Sequence, residues 1–103
     1  ASSGTVKLNL GGYSVSDYMF FEFVYTDGTR SYSQRLYQPA LNASTSLSRT
    51  VSDGAALYTA SVTVKVDTAG SIILSNNVQL YISPAGTTTS EGKLGLTKVL
   101  GWA

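Results

Sequence analysis

The chain has 103 residues, 43% hydrophobic and 13% charged, with a formal net charge of +1. That excludes a disordered chain, which needs low hydrophobicity and high net charge, and a basic field that would gather nucleic acid. Histidine and cysteine are absent, which removes Ser-His-Asp and Cys-His nucleophile systems, the usual zinc sites and disulfides, and leaves the redox compartment unreadable.

The sequence opens Ala1-Ser2-Ser3-Gly4, with no initiator methionine and no signal-peptide pattern, and is expected to be one domain of a longer protein. Thr5–Leu10 alternates with period two, Val6, Leu8 and Leu10 pointing one way, the mark of a half-buried strand. Gly11-Gly12 ends it, a pair suited to a turn at positive φ. Tyr18–Tyr25 is apolar on both faces: Met19, Phe21, Phe23 and Tyr25 share one, and Tyr18, Phe20, Glu22 and Val24 the other. A two-layer sandwich supplies core to one face only. The second face is therefore covered either by the chain's own loops or by a second subunit. Asp27-Gly28 predicts a type I′ turn joining Tyr18–Thr26 to Thr29–Tyr37 as a hairpin.

Ser61–Val66 alternates as cleanly, with Val62, Val64 and Val66 inward. Asp67–Gly70 is a looser connection to Ile72–Ser75. Asn76-Asn77 is expected to turn the chain into Val78–Ile82, because Asn tolerates the left-handed region. Pro39 and Pro84 follow strands, as a missing N–H demands. Ser83–Gly92 reads as the longest loop. Leu94–Trp102 places Leu94, Leu96, Leu100 and Trp102 on one face, with Lys98 a defect in the stripe. Nothing reads as a helix of three turns, and no apolar run approaches the roughly 20 residues of a membrane span. The expectation is a single all-β domain over 1–103, an antiparallel sandwich of seven or eight short strands.

Chemistry is sparse. The six carboxylates are Asp17, Glu22, Asp27, Asp53, Asp67 and Glu91. Asp27, Asp53 and Asp67 sit in turns, and Glu22 lies mid-strand, where a cross-strand Arg or Lys is the ordinary partner. No pair reads as the carboxylates of a glycosidase, no calcium loop is present, and Gly92–Gly95 lacks the spacing of a phosphate loop. No catalytic residue, metal or cofactor is expected. Aromatics remain: Tyr13, Tyr37 and Tyr58 at strand ends or in loops could stack on a sugar, with amides fixing its hydroxyls. Tyr37–Ser44 joins a ring to Gln38 and Asn42, and Gly11–Asp17 offers Tyr13, so Tyr37, Gln38, Asn42 and Tyr13 are the candidate ligand contacts. Asn42-Ala43-Ser44 is a glycosylation sequon, relevant only in a eukaryotic secretory route. Phe20, Val24 and Trp102 are the candidate interface residues.

Three stretches carry a resemblance. Ser3–Leu8, Ser14-Val15-Ser16-Asp17-Tyr18 and Phe20–Tyr25 form one string; Leu36-Tyr37-Gln38-Pro39 follows; the chain closes on Leu96-Thr97-Lys98-Val99-Leu100-Gly101-Trp102. This resembles the small β-sandwich domains at the C-terminal ends of tailed-bacteriophage tail fibres and tail-tip proteins. The resemblance implies a non-enzymatic, homotrimeric receptor-binding tip on the virion tail, meeting a bacterial surface glycan or outer-membrane protein. It places no binding residue. The alternatives are a carbohydrate-binding module of a secreted glycoside hydrolase and a ligand-free fibre cap or capsid decoration domain.

Overall fold

The structure, a computed structural model, describes residues 3–52, 54–67 and 70–102. Asp53, the Thr68-Ala69 middle of the Asp67–Gly70 connection, and Ala1-Ser2 lie outside the described residues. The described chain forms eight strands: β1 (Gly4–Val6), β2 (Phe20–Thr26), β3 (Ser31–Tyr37), β4 (Ser44–Ser52), β5 (Leu57–Val66), β6 (Ile72–Ser83), β7 (Gly86–Glu91) and β8 (Gly95–Trp102). All pairings are antiparallel. One sheet has five strands in the order β1-β6-β5-β4, with β7 also on β6; the other has three, in the order β3-β2-β8. The two sheets pack face to face, so the expected all-β sandwich is what the chain builds.

The core lies between the inner faces. Phe21, Phe23 and Tyr25 of β2 meet Leu47, Val62, Val64, Val66, Ile72 and Leu74 of the larger sheet, all buried. Alternation along β2 and β5 produces this directly, because successive side chains point to opposite faces. Val6, Leu8 and Leu10 all pack against the core, but the ladder ends at Val6. Tyr18, ahead of β2, also turns inward: its hydroxyl donates to the Leu10 carbonyl at 3.0 Å and its ring lies 5.1 Å from Phe21. Met19 is left exposed instead.

Four local expectations are corrected. The Asp27-Gly28 connection is not a type I′ turn, which requires positive φ at both central residues; Gly28 has φ 94, whereas Asp27 is not among the positive-φ residues. Pairing ends at Thr26–Ser31, and the Asp27 carboxylate organises the turn by accepting the N–H groups of Thr29 and Arg30 at 2.9 and 3.0 Å. Asn76-Asn77 does not reverse the chain. The left-handed tolerance of Asn76 (φ 52) is used for a bulge within β6, where Asn76 and Asn77 lie between the Val78–Ser61 and Ser75–Thr63 pairs, and the strand continues past it. Ser83–Gly92 is not a loop: Pro84-Ala85 is a tight turn and Gly86–Glu91 is a strand on β6. Neither face of that strand is buried, so it carries no apolar alternation. Ser44–Ser52 is likewise a strand that its Ser-Thr composition concealed.

The last correction sets the outer surface. β8 has a bulge at Thr97, because Val24 pairs with Lys98 while Tyr25 pairs with Leu96. The Thr97 hydroxyl donates to the Val24 carbonyl at 2.9 Å, pinning it. The extra residue moves the stripe across the strand. Leu94 and Leu96 face inward, and after the bulge Val99 and Gly101 do. Lys98, Leu100 and Trp102 face outward, so Lys98 is no defect in an inward stripe.

Candidate functional site

The outer face of the three-stranded sheet is where the predicted interface residues and one predicted ligand residue meet. Register places Tyr37, Phe20 and Trp102 in one cross-strand row, Arg35, Glu22 and Leu100 in the next, and Ser33, Val24 and Lys98 in the third. Phe20 lies 5.3 Å from Tyr37 and 4.7 Å from Trp102, the latter pair stacked at 21°. The Arg35 guanidinium carbon sits 4.5 Å from the Phe20 ring centre, in cation–π range. Its Nε donates to Glu22 at 3.2 Å and its Nη1 to the Tyr37 hydroxyl at 3.3 Å. These two bonds, the Tyr37 one foremost, push the Arg35 pKa further up, so this face keeps its cation at every working pH. The Glu22 partner expected across the sheet is thus Arg35, in an exposed pair that solvent screens.

The row remains open. Tyr37 is 59% exposed and Trp102 41%. Their neighbour Met19 is exposed as well. Because Phe20 and Trp102 stack on each other, these rings stand up from the sheet instead of lying flat on it. They form an apolar ridge, not a planar platform for a sugar ring. Trp102 is therefore a surface residue and not a core one. Val24, half-buried, continues the same face two rows away.

The other ligand candidates are dispersed. Gln38 and Asn42 both take left-handed backbones, φ 50 and 65, which serve to stitch the loop down. The Gln38 N–H donates to the Met19 carbonyl at 2.8 Å, and the Asn42 N–H to the Val66 carbonyl at 2.6 Å. Both side chains are exposed, while Pro39 between them is buried. Tyr13 is 59% exposed, in edge contact with Tyr18 at 6.2 Å. Together with Leu10, Val15 and Leu41 it lines a mainly apolar hollow of about 470 Å³. The loops Gly11–Asp17 and Tyr37–Ser44 therefore share one end of the sandwich, but Tyr37 is turned onto the sheet face, away from the hollow. Tyr58 lies within β5 and packs on Tyr81 of β6, ring centres 4.9 Å apart.

Two functional candidates escaped sequence reasoning. Leu41, exposed beside the hollow, had no periodic context to mark it. Arg49 is the other: it reaches from β4 to Asp27 at 2.9 Å, forming an ion pair with side chains 7% and 9% exposed. Its inward position in the Thr45–Leu47–Arg49–Val51 alternation was the available signal. Among the described residues no three His, Cys, Asp or Glu side chains cluster as metal ligands, and no helix is long and apolar enough to cross a membrane. No protein-family model matches the chain, and comparisons with curated proteins and with solved structures return no match.

Proposed function

We propose that the domain is a non-enzymatic recognition and assembly module of the phage tail-fibre-tip kind. It packs as a homotrimer through the outer face of the β3-β2-β8 sheet and meets a bacterial surface receptor, a glycan or an outer-membrane protein, with the loop end around Tyr13 and Leu41. The observation that supports this reading is the Tyr37–Phe20–Trp102 row. Three strands at about 4.8 Å spacing and seven residues at about 3.4 Å give a face of roughly 14 by 24 Å. Its apolar members, Tyr37, Phe20, Trp102, Leu100 and Val24, are rimmed by Arg35, Glu22 and Lys98, and an apolar patch with a polar rim marks an interaction site. Aromatic side chains with an adjacent arginine are the composition that anchors protein interfaces.

Light scattering on the purified domain tests assembly. A trimer is expected, and Phe20→Glu or Val24→Glu should dissociate it, because burying an unpaired carboxylate costs several kcal/mol. A monomer would favour the carbohydrate-binding-module alternative. Attachment of labelled domain to whole bacteria tests recognition: Tyr13→Ala and Leu41→Ala should each lower it about tenfold at unchanged melting temperature, the effect of losing about 1.4 kcal/mol. A trimer that attaches to no cell would instead be a ligand-free cap.

A further inference from the structure

The five-stranded sheet outruns the three-stranded one. The hairpin tip Asp27–Arg30 closes the smaller sheet at the level of Arg49, whose Nε donates to Asp27 Oδ2. Two residues further on, Val51, Tyr58, Tyr81 and Thr88 continue the inner face of the larger sheet as one cross-strand row. Val51 and Tyr81 are exposed there. This overhang, the hairpin tip and Lys93 from the β7–β8 connection enclose a groove of about 690 Å³. Small-molecule sites run from about 300 to about 1,000 Å³.

The groove's carboxylate and amide oxygens are already engaged. Asp27 Oδ1 takes the Thr29 and Arg30 N–H groups, and Oδ2 takes the Tyr32 hydroxyl at 3.1 Å and Arg49. Gln79 Oε1 accepts from Arg49 Nη2 at 2.8 Å. Asp27 and Arg49 cancel each other's charge. What stays available is donor capacity: the Gln79 amide N–H₂, and the side chains of Arg30 and Lys93 on the rim, neither of which is in an ion pair among the described residues. Asp27, with two hydrogen bonds on each oxygen, has no lone-pair direction left for a ligand's donor.

We infer that this groove binds an anionic saccharide, its carboxylate or phosphate held between Arg30 and Lys93 and its ring laid beside Tyr58. The two uncancelled cations select negative charge. Hydroxyls of Thr29 and Ser52, both lining the groove, can donate and accept as sugar hydroxyls do. The tyrosine supplies the apolar surface a pyranose ring needs. An acidic peptide would satisfy the cations but gain little from the ring and hydroxyls. The groove is apart from the aromatic row and does not depend on trimer formation.

Calorimetric titration of the 103-residue chain with hyaluronan tetrasaccharide, mannose 6-phosphate, cellotetraose and tetraglutamate tests this. At least one anionic sugar should bind about tenfold tighter than cellotetraose and than tetraglutamate, and its binding should weaken between about 50 and about 500 mM NaCl. The arm that binds tells carboxylate from phosphate. Arg30→Gln and Lys93→Gln, both at exposed positions, should each weaken it about threefold to fivefold at unchanged melting temperature. Equal binding of cellotetraose, tighter binding of tetraglutamate, no binding of either anionic sugar, or indifference to both substitutions would overturn the inference. Phe20→Glu should leave saccharide binding intact and the groove variants should leave assembly intact, so failure here is separable from failure of the proposed function.

Discussion

Replacing Asp27 by alanine should cost the fold about 3–5 kcal/mol, the penalty of leaving one member of a buried ion pair alone. The structure puts the site at the high end of what one side chain can do. Asp27 accepts four hydrogen bonds, two of them from the backbone of its own turn, and without it the Arg49 side chain, 7% exposed, keeps only the uncharged Tyr58 carbonyl and Gln79 Oε1 as partners. A chain of this size has about 5–15 kcal/mol in total, and each kcal/mol is worth about 4–8 °C in melting temperature. Urea denaturation followed by circular dichroism should therefore show a large fall. Adding Arg49→Met to Asp27→Ala should recover about 1–3 kcal/mol, because it removes the uncompensated guanidinium. The acid limb fixes the sign. The Arg30 and Thr29 N–H groups first, then Arg49 and Tyr32, hold the folded Asp27 pKa well below the ordinary carboxylate range. The contribution is thus complete above the unfolded pKa of about 3.9 and is lost as pH falls through the folded value. The gap between the parent and Asp27→Asn should close on acidification and stay constant from about pH 5 upward. A cost for Asp27→Ala under about 1 kcal/mol, or a double variant no more stable than the single one, would refute the reasoning.

Gly101→Ala should destabilise by about 1–3 kcal/mol, since its Cβ would lie 2.7 Å from Tyr18 Cε1 and 3.3 Å from Phe21 Cε1; thermal melting checks it. Tyr25→Phe should cost about 1 kcal/mol in urea titration, because it orphans the Ser48 carbonyl that the hydroxyl reaches at 2.7 Å. Burial raises the pKa of Tyr25 and, with Asp27's hydrogen bond, of Tyr32. The stability this confers is present below about pH 10 and lost as pH rises through the folded values, so melting temperature should fall in alkali. Deleting Thr97 leaves Leu96 inward and Lys98 outward in a regular ladder, so the deletion should cost less than about 2 kcal/mol; deleting Val99 sends Leu100 and Trp102 inward and should unfold the domain, as circular dichroism would report.

Much of the fold was legible because it is a property of near neighbours. Period-two alternation in Val62–Val64–Val66 and Phe21–Phe23–Tyr25 marks a buried face whatever lies opposite. Asp27 announced a turn because its short carboxylate can reach N–H groups two and three residues on, although the turn type did not follow. Gly86–Glu91 was illegible for the converse reason: an edge strand exposed on both faces has only backbone pairing to define it, and that leaves no trace in side-chain type.

The candidate sites divide the same way. That Tyr18–Tyr25 has two apolar faces is written in the chain, and so is the scarcity of groups for acid–base chemistry. That Tyr37, Phe20 and Trp102 form one row depends on registers between three strands, one of them shifted by the Thr97 bulge. A single inserted residue reverses which side chains face out from there on, and nothing local to Leu100 or Trp102 records it. The groove is still further from the sequence. Asp27 and Arg49 are separated by 22 residues, and they meet only because one sheet ends where the other continues. Local chemistry chose the strands and the turns; the relative lengths and offsets of the two sheets, set by long-range packing, decided which residues share a surface.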